Sequence, residues 1–160
     1  MRTNKSGFTL IEILVVVVIL GITASMAMMA FGDFGESQRI EAEAERFKQK
    51  IRLIRYHAIL EATPYRIQIF PSGYQVFRFV PPHQWKNTTL SGLGTHAFPK
   101  KIQAALQRHQ TTQKHGLIIQ ASGEITPFTL TFSAIGKPPI VQIDVQDNGT
   151  IALKKIIGAR

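Results

Sequence analysis

Cysteine is absent from the 160 residues, which excludes a disulfide framework, a thiol nucleophile and any thiolate metal site. Acidic residues are scarce, 10 against 19 lysines and arginines for a net charge of +9. Their placement is uneven: none lies between Ala62 and Gly123, and after Glu61 only Glu124, Asp144 and Asp147 remain. Paired-carboxylate catalysis has little to draw on, and no nucleophile elbow, phosphate-binding glycine loop or zincin pattern occurs. The chain reads as no enzyme and calls for no cofactor. Asp144, Asp147 and Asn148 gather hard oxygen donors suited to calcium, but the EF-hand spacing is missing and Asp147 is already explained by a turn. His109 and His115 lie six apart with no third ligand near, so no metal is expected.

What the chain does have is a long uncharged run. From 8 to 31 the only ionisable side chain is Glu12. As a helix at about 1.5 Å per residue this segment reaches about 36 Å, against a bilayer hydrocarbon core of roughly 30 Å. An unpaired charge at that depth costs roughly 2.5–3.5 kcal/mol even on the mild insertion scale, so Glu12 needs a function or a place at headgroup level.

Its neighbours decide between these. Arg2 and Lys5 precede a Gly7-Phe8 junction, and Phe8-Thr9-Leu10-Ile11-Glu12 resembles the processing site and mature start of type IV pilins and of type II secretion pseudopilins. The resemblance implies cleavage after Gly7 by a prepilin peptidase, methylation of the new terminus on Phe8, and Glu12 as the fifth mature residue, acting in assembly. The physical logic is that a cationic amine and a carboxylate about 4 Å apart attract by roughly 4 kcal/mol at an effective dielectric of 20. Glu12 of an incoming subunit can meet a neighbour's amine, and it can also meet the amine of its own Phe8, four residues back; the sequence leaves both open. A secretory signal peptide is the rival reading, with Ser25-Met26-Ala27 as its small-residue cleavage pattern. Against it, the uncharged run from Ile13 to Gly32 is longer than the usual 7–15-residue apolar region. The basic leader keeps the N-terminus cytoplasmic. The resemblance then implies a single pass through the inner membrane of a Gram-negative bacterium, with everything beyond about Gly32 periplasmic.

The expected organisation is a leader over 1–7, a transmembrane helix over 8–31, an amphipathic helix over 32–62 and a β domain over 63–160. Ile40, Ala44, Phe47, Ile51, Ile54 and Ala58 recur at spacings of 4 and 3 and form one apolar stripe, suited to packing on the chain's own sheet or, as a second choice, to a coiled-coil seam. Gly32 and Gly35 form a weak point, and Thr63-Pro64 stops the helix. Beyond it the period becomes alternating. Segments 65–70 and 74–80 flank Pro71-Ser72-Gly73, 117–121 and 125–133 flank Ser122-Gly123, and 140–145 and 150–153 flank Asp147-Asn148-Gly149, predicting three hairpins, with a further strand over 102–106. Phe128, Leu130 and Phe132 should share a face. A long helix covering an antiparallel sheet buries both apolar faces. The fold class is α+β, with pilin-like architecture.

The stretch from Ile118 to Leu130, with its Gly123 and Thr126-Pro127-Phe128, is similar to the pattern of the H-type minor pseudopilins, the GspH family, and 145–151 resembles that family's last hairpin. This implies a low-abundance subunit near the tip of a periplasmic pseudopilus. Its partners would be other minor pseudopilins, the major pseudopilin, prepilin peptidase and membrane lipid.

The acid-free middle of the chain carries Arg66, Arg78, Lys86, Lys100, Lys101, Arg108 and Lys114. One reading is a solvated face that docks onto acidic subunits or lipid headgroups. The other is a polyanion groove, in which Trp85 and Phe98 stack bases and the cations neutralise phosphates, as expected of a FimT-like minor pilin that takes up DNA. Nucleic acid is a partner only under this alternative. Residues 81–97 read as a long loop, in which His83, Trp85 and Lys86 form a partner contact or Trp85 plugs the core edge.

Overall fold

The computed structural model describes residues 9–88, 90, 92–108 and 116–156, leaving aside the side chains of 28–34 and of Arg108. Helix α1 runs over Leu10–Leu60 and passes through Gly32 and Gly35 without a break in its helical backbone. The chain divides into two compact units, residues 1–37 and residues 38–160.

In the first unit, Leu10–Ala27 is an 18-residue apolar stretch with no residue buried. It is long and apolar enough to cross a membrane. Its two hydroxyl residues leave no donor idle: Thr23 Oγ1 donates to the Ile19 and Leu20 carbonyls at 3.0 Å, and Ser25 Oγ to the Gly21 carbonyl at 2.8 Å. In lipid, where water cannot take that bond, such back-bonding removes a cost of several kcal/mol.

In the second unit the predicted stripe is the buried face of the helix. Ile40, Ala44, Ile51, Ile54 and Ala58 are fully buried and Phe47 nearly so. The helix ends before Pro64: the amides of Ala62 and Thr63 bond the carbonyls of Ile59 and Ala58 at 3.2 and 3.0 Å, and Ala62 takes a left-handed φ of 46°. This is the hydrogen-bond pattern of a Schellman cap, in which a left-handed residue closes the last turn.

Among the described residues nine strands follow: β1 Tyr65–Phe70, β2 Gly73–Val80, β3 Gln84–Asn87, β4 His96–Ala97, β5 Ile102–Arg108, β6 Leu117–Ile119, β7 Phe128–Ala134, β8 Val141–Val145 and β9 Ile151–Lys155. One sheet has the order β3-β2-β1-β6 with β4 also on β2; the other has the order β5-β7-β8-β9. The first and third predicted hairpins are present as β1–β2 and β8–β9, and Phe128, Leu130 and Phe132 are fully buried together. The second hairpin is not formed. Segment 117–119 pairs with β1 and segment 128–134 with β5 and β8, in different sheets. Pro127 has no amide to continue a ladder, and Thr126 spends both its amide and its hydroxyl on Ile118, so pairing stops at the single bridge Ile119–Ile125. The 81–97 loop is also shorter than expected, because β3 and β4 lie within it.

Phe47 is the joint of the core. Its ring meets Tyr74 of the first sheet at 5.0 Å and Phe132 of the second at 6.1 Å, both edge-on, and Phe98 bridges Tyr74 and Phe132 at 6.0 and 5.5 Å. Arg55 ties the helix to two turns. Its Nε donates to the Gly123 carbonyl at 2.8 Å and its Nη2 to the Asn148 carbonyl at 3.3 Å. Gly149 takes a left-handed φ of 81° that favours glycine, and a Cβ there would stand 2.5 Å from the Arg55 guanidinium carbon, so the Arg55 head would have to shift.

Candidate functional site

Glu12 stands in the first turn of α1, exposed among exposed apolar neighbours. Its amide bonds the Thr9 carbonyl at 3.1 Å. A carboxylate in the first turn faces the positive end of the helix dipole, an attraction of a few tenths of a kcal/mol to about 1 kcal/mol, too little to offset burial in hydrocarbon. Gly7 and Phe8, the expected cleavage and methylation positions, lie outside the described residues.

The described cations of the basic middle segment do not converge on one groove. Residues paired across antiparallel strands share a face, and faces alternate along a strand. Arg78 pairs with Tyr65 and Lys86, and Arg66 with Phe77 and Ile118, so Arg66 is on the opposite face of the sheet from Arg78 and Lys86. Lys100 and Lys101 are exposed in the turn before β5. Lys114 and the side chain of Arg108 lie outside the described residues. Arg66 stacks its guanidinium carbon 4.0 Å above the Trp85 ring, Phe79 meets that ring at 5.3 Å, and burial pulls the Arg66 pKa down. Trp85 is half-buried in this cluster, whereas Lys86 follows it on the other face and His83 is exposed in the turn between β2 and β3. The three residues expected to act together are therefore separated.

Arg78 is engaged with Glu61. The carboxylate accepts from Arg78 Nε at 2.8 Å, from Tyr65 Oη at 3.0 Å and meets His57 Nδ1 at 3.0 Å. Burial pushes the Glu61 pKa up, but hydrogen bonds from His57, Tyr65 and Arg78 and the charge of Arg78 bring the net below its ordinary 4.5. A group with a depressed folded pKa adds stability above its unfolded value, and that stability is lost as pH falls through the folded value. Thermal unfolding of the full chain should therefore drop in temperature below pH 4.5, and Glu61→Gln should lower it near neutrality while flattening that acid-side drop. An unchanged acid-side slope in the variant would remove Glu61 from the account. Asp144 behaves in the same sense: burial raises its pKa, and Lys154, Gln142 and Thr129 lower it further than burial raises it. Those three groups meet its oxygens at 2.7–2.9 Å.

Two features carried no warning in the sequence. Glu43 is a buried carboxylate on the helix, held by His96 Nε2 at 2.7 Å with Arg46 at 3.6 Å. Burial and the Glu43 charge push the neighbouring Tyr74 hydroxyl up to about 12. Beside this pair a concavity of about 300 Å³ opens between the helix and the first sheet, lined by Arg46, Gln49, Lys50, Leu53, Tyr74 and His96. The second feature is a row of exposed apolar residues on the helix: Leu53, Tyr56, Ile59 and Leu60 are 41–65 % exposed.

Comparison with known proteins supplies a context. Residues 2–28 match the prokaryotic N-terminal methylation motif, and residues 43–149 match the family of type II transport protein GspH. Type II secretion system protein H of Pseudomonas aeruginosa is 27 % identical over 150 residues, covering 85 % of this chain and 87 % of the relative. The protein of the same name from Escherichia coli is 27 % identical over 143 residues, with 83 % of each chain covered. Among solved structures, the minor pseudopilin EpsH from the type 2 secretion system of Vibrio cholerae superposes with a TM-score of 0.64 at 18 % identity, covering 76 % of this chain and 99 % of that one. The type IV minor pilin FimU of Pseudomonas aeruginosa gives 0.55 at 17 % identity, over 76 % and 92 %. At these identities the superpositions speak for the fold.

Proposed function

The chain belongs to the GspH family of type II transport proteins, and from that premise we infer the life cycle of a minor pseudopilin of the type II secretion system. It is a membrane-anchored bacterial protein whose C-terminal domain helps build the pseudopilus near its tip, in support of protein export across the outer membrane. The observation that carries the finer reading is a lone carboxylate, Glu12, on an exposed 18-residue apolar span inside a methylation motif and upstream of a GspH-type domain. On this reading prepilin peptidase cuts between Gly7 and Phe8, Phe8 is methylated, and 8–31 crosses the inner membrane with the leader cytoplasmic. Amphipathic helix 32–62 and β domain 63–160 then lie in the periplasm. Glu12 neutralises the amine of a neighbouring subunit, and the role is structural, with no catalysis by this chain. The dispersal of the cations over both faces of the first sheet and the turn before β5 favours several small docking contacts over one polyanion groove.

Cells lacking this chain should retain type II substrates in the periplasm, and re-expression of the full chain should restore export. Export that proceeds normally without it would overturn the assignment.

A further inference from the structure

The helix has a second seam. Ala42, Arg46, Gln49, Leu53, Tyr56 and Leu60 follow one another at spacings of 4, 3, 4, 3 and 4, and all are exposed, while the buried stripe occupies the other side with the same rhythm. Such a repeat keeps one line of side chains facing a partner helix over several turns. The seam is graded along its length. Its C-terminal end is apolar, with Leu53 41 %, Tyr56 61 % and Leu60 65 % exposed. Its N-terminal end is cationic, since Arg39 continues the register one step before Ala42 and Arg46 projects with 72 % of its side chain exposed. The concavity described above opens along this same line, with Arg46, Gln49 and Leu53 common to both. Its remaining wall adds Lys50, whose Nζ donates to the Gly92 carbonyl, and His96. The buried carboxylate of Glu43 is engaged by His96 at 2.7 Å and by Arg46 at 3.6 Å.

We propose that this seam and its groove are the docking face for a parallel, acidic amphipathic helix of a different pseudopilin subunit, and that the seam selects against a second copy of this chain. The proposal rests on the family reading given above, because subunits anchored by the same kind of N-terminal span run parallel. In a parallel pair of identical helices in register, each seam position meets itself, so Arg39 faces Arg39 and Arg46 faces Arg46; at the offset of about one turn by which Glu12 would reach a neighbour's Phe8 amine, the two cationic ends still overlap. Like charges at facing positions repel and specify against that pairing. A subunit that presents carboxylates opposite the two arginines and apolar side chains opposite Leu53, Tyr56 and Leu60 satisfies both ends of the seam. A carboxylate or a longer apolar side chain of that partner fits the groove, whose rim is cationic and whose walls include Leu53 and Tyr74.

The absence of cysteine makes the test clean, because an introduced thiol is unique. The full chain carrying Leu53→Cys, Tyr56→Cys or, as a control in the turn after β7, Ile135→Cys (66 % exposed) is treated with a bismaleimide in intact membranes that also contain the other pseudopilins of the same apparatus, each carrying one cysteine. The expected result is a cross-link from positions 53 and 56 to another pseudopilin, without one from 135. Tyr56→Glu and Arg39→Glu should each lower capture of that subunit about tenfold with thermal unfolding unchanged. A product of twice this chain's mass, or a pseudopilin cross-link from 135 but not from 56, overturns the seam and leaves the family role standing. No cross-link to any pseudopilin from any position overturns both.

Discussion

Glu12→Ala is expected to remove the chain from the assembled pseudopilus while leaving it in the membrane and folded, because the substitution acts with opposite signs on two steps. Insertion becomes easier, since a buried carboxylate costs roughly 2.5–3.5 kcal/mol and alanine costs almost nothing. Assembly becomes harder, since pairing with a neighbour's terminal amine contributes roughly 4 kcal/mol at 4 Å and an effective dielectric of 20. That energy corresponds to a partition of order 10³ between assembled and free subunit, and Glu12 is exposed on α1. Glu12→Gln separates charge from shape: if the ion pair is what matters, glutamine fails as alanine does. The measurement is the fraction of this chain recovered with the pseudopilus, set against its total in membranes. Normal recovery of either variant would refute the charge-pairing argument.

Much of this architecture could be read from residue spacing. The stripe Ile40 to Ala58 is buried as its rhythm requires, and the turn residues Pro71-Ser72-Gly73 and Asp147-Asn148-Gly149 sit between strands that pair. These succeed because the signal is local. The second hairpin fails for the converse reason: Ser122-Gly123 is a good turn, but whether its flanks pair depends on partners far along the chain, and β1, β5 and β8 compete for them. The same non-locality hid the separation of Arg66 from Arg78. Their strand positions differ by parity once the register is known, and register depends on the whole sheet. The exposed seam sends no comparable signal, because only Leu53, Tyr56 and Leu60 of its line are large and apolar while Arg39, Arg46 and Gln49 interrupt it; that the sheet takes the line from Ile40 to Ala58 follows from that difference.

That choice is testable at Phe47, where the buried line is densest. The ring is 1 % exposed and stands between Tyr74 and Phe132, one from each sheet, so Phe47→Ala leaves a cavity that neither sheet can fill without leaving the other. Phenylalanine-to-alanine changes in cores cost about 3–5 kcal/mol, a large part of the 5–15 kcal/mol typical of a domain, and should lower the unfolding temperature of the full chain by about 10–20 °C. Leu53→Ala, about one and two-thirds turns further along but on the exposed line, should stay within about 0.5 kcal/mol. A double-mutant cycle of Phe47 with Phe132 should show coupling of about 0.5–1.5 kcal/mol, as edge-on aromatic pairs do. A loss of only a few degrees at Phe47, or equal losses at 47 and 53, would mean that the helix does not hold the sheets by this line. A helix so loosely held could not present Leu53, Tyr56 and Leu60 to a partner in a fixed register, so the stability of the inner seam is a precondition for the selectivity of the outer one.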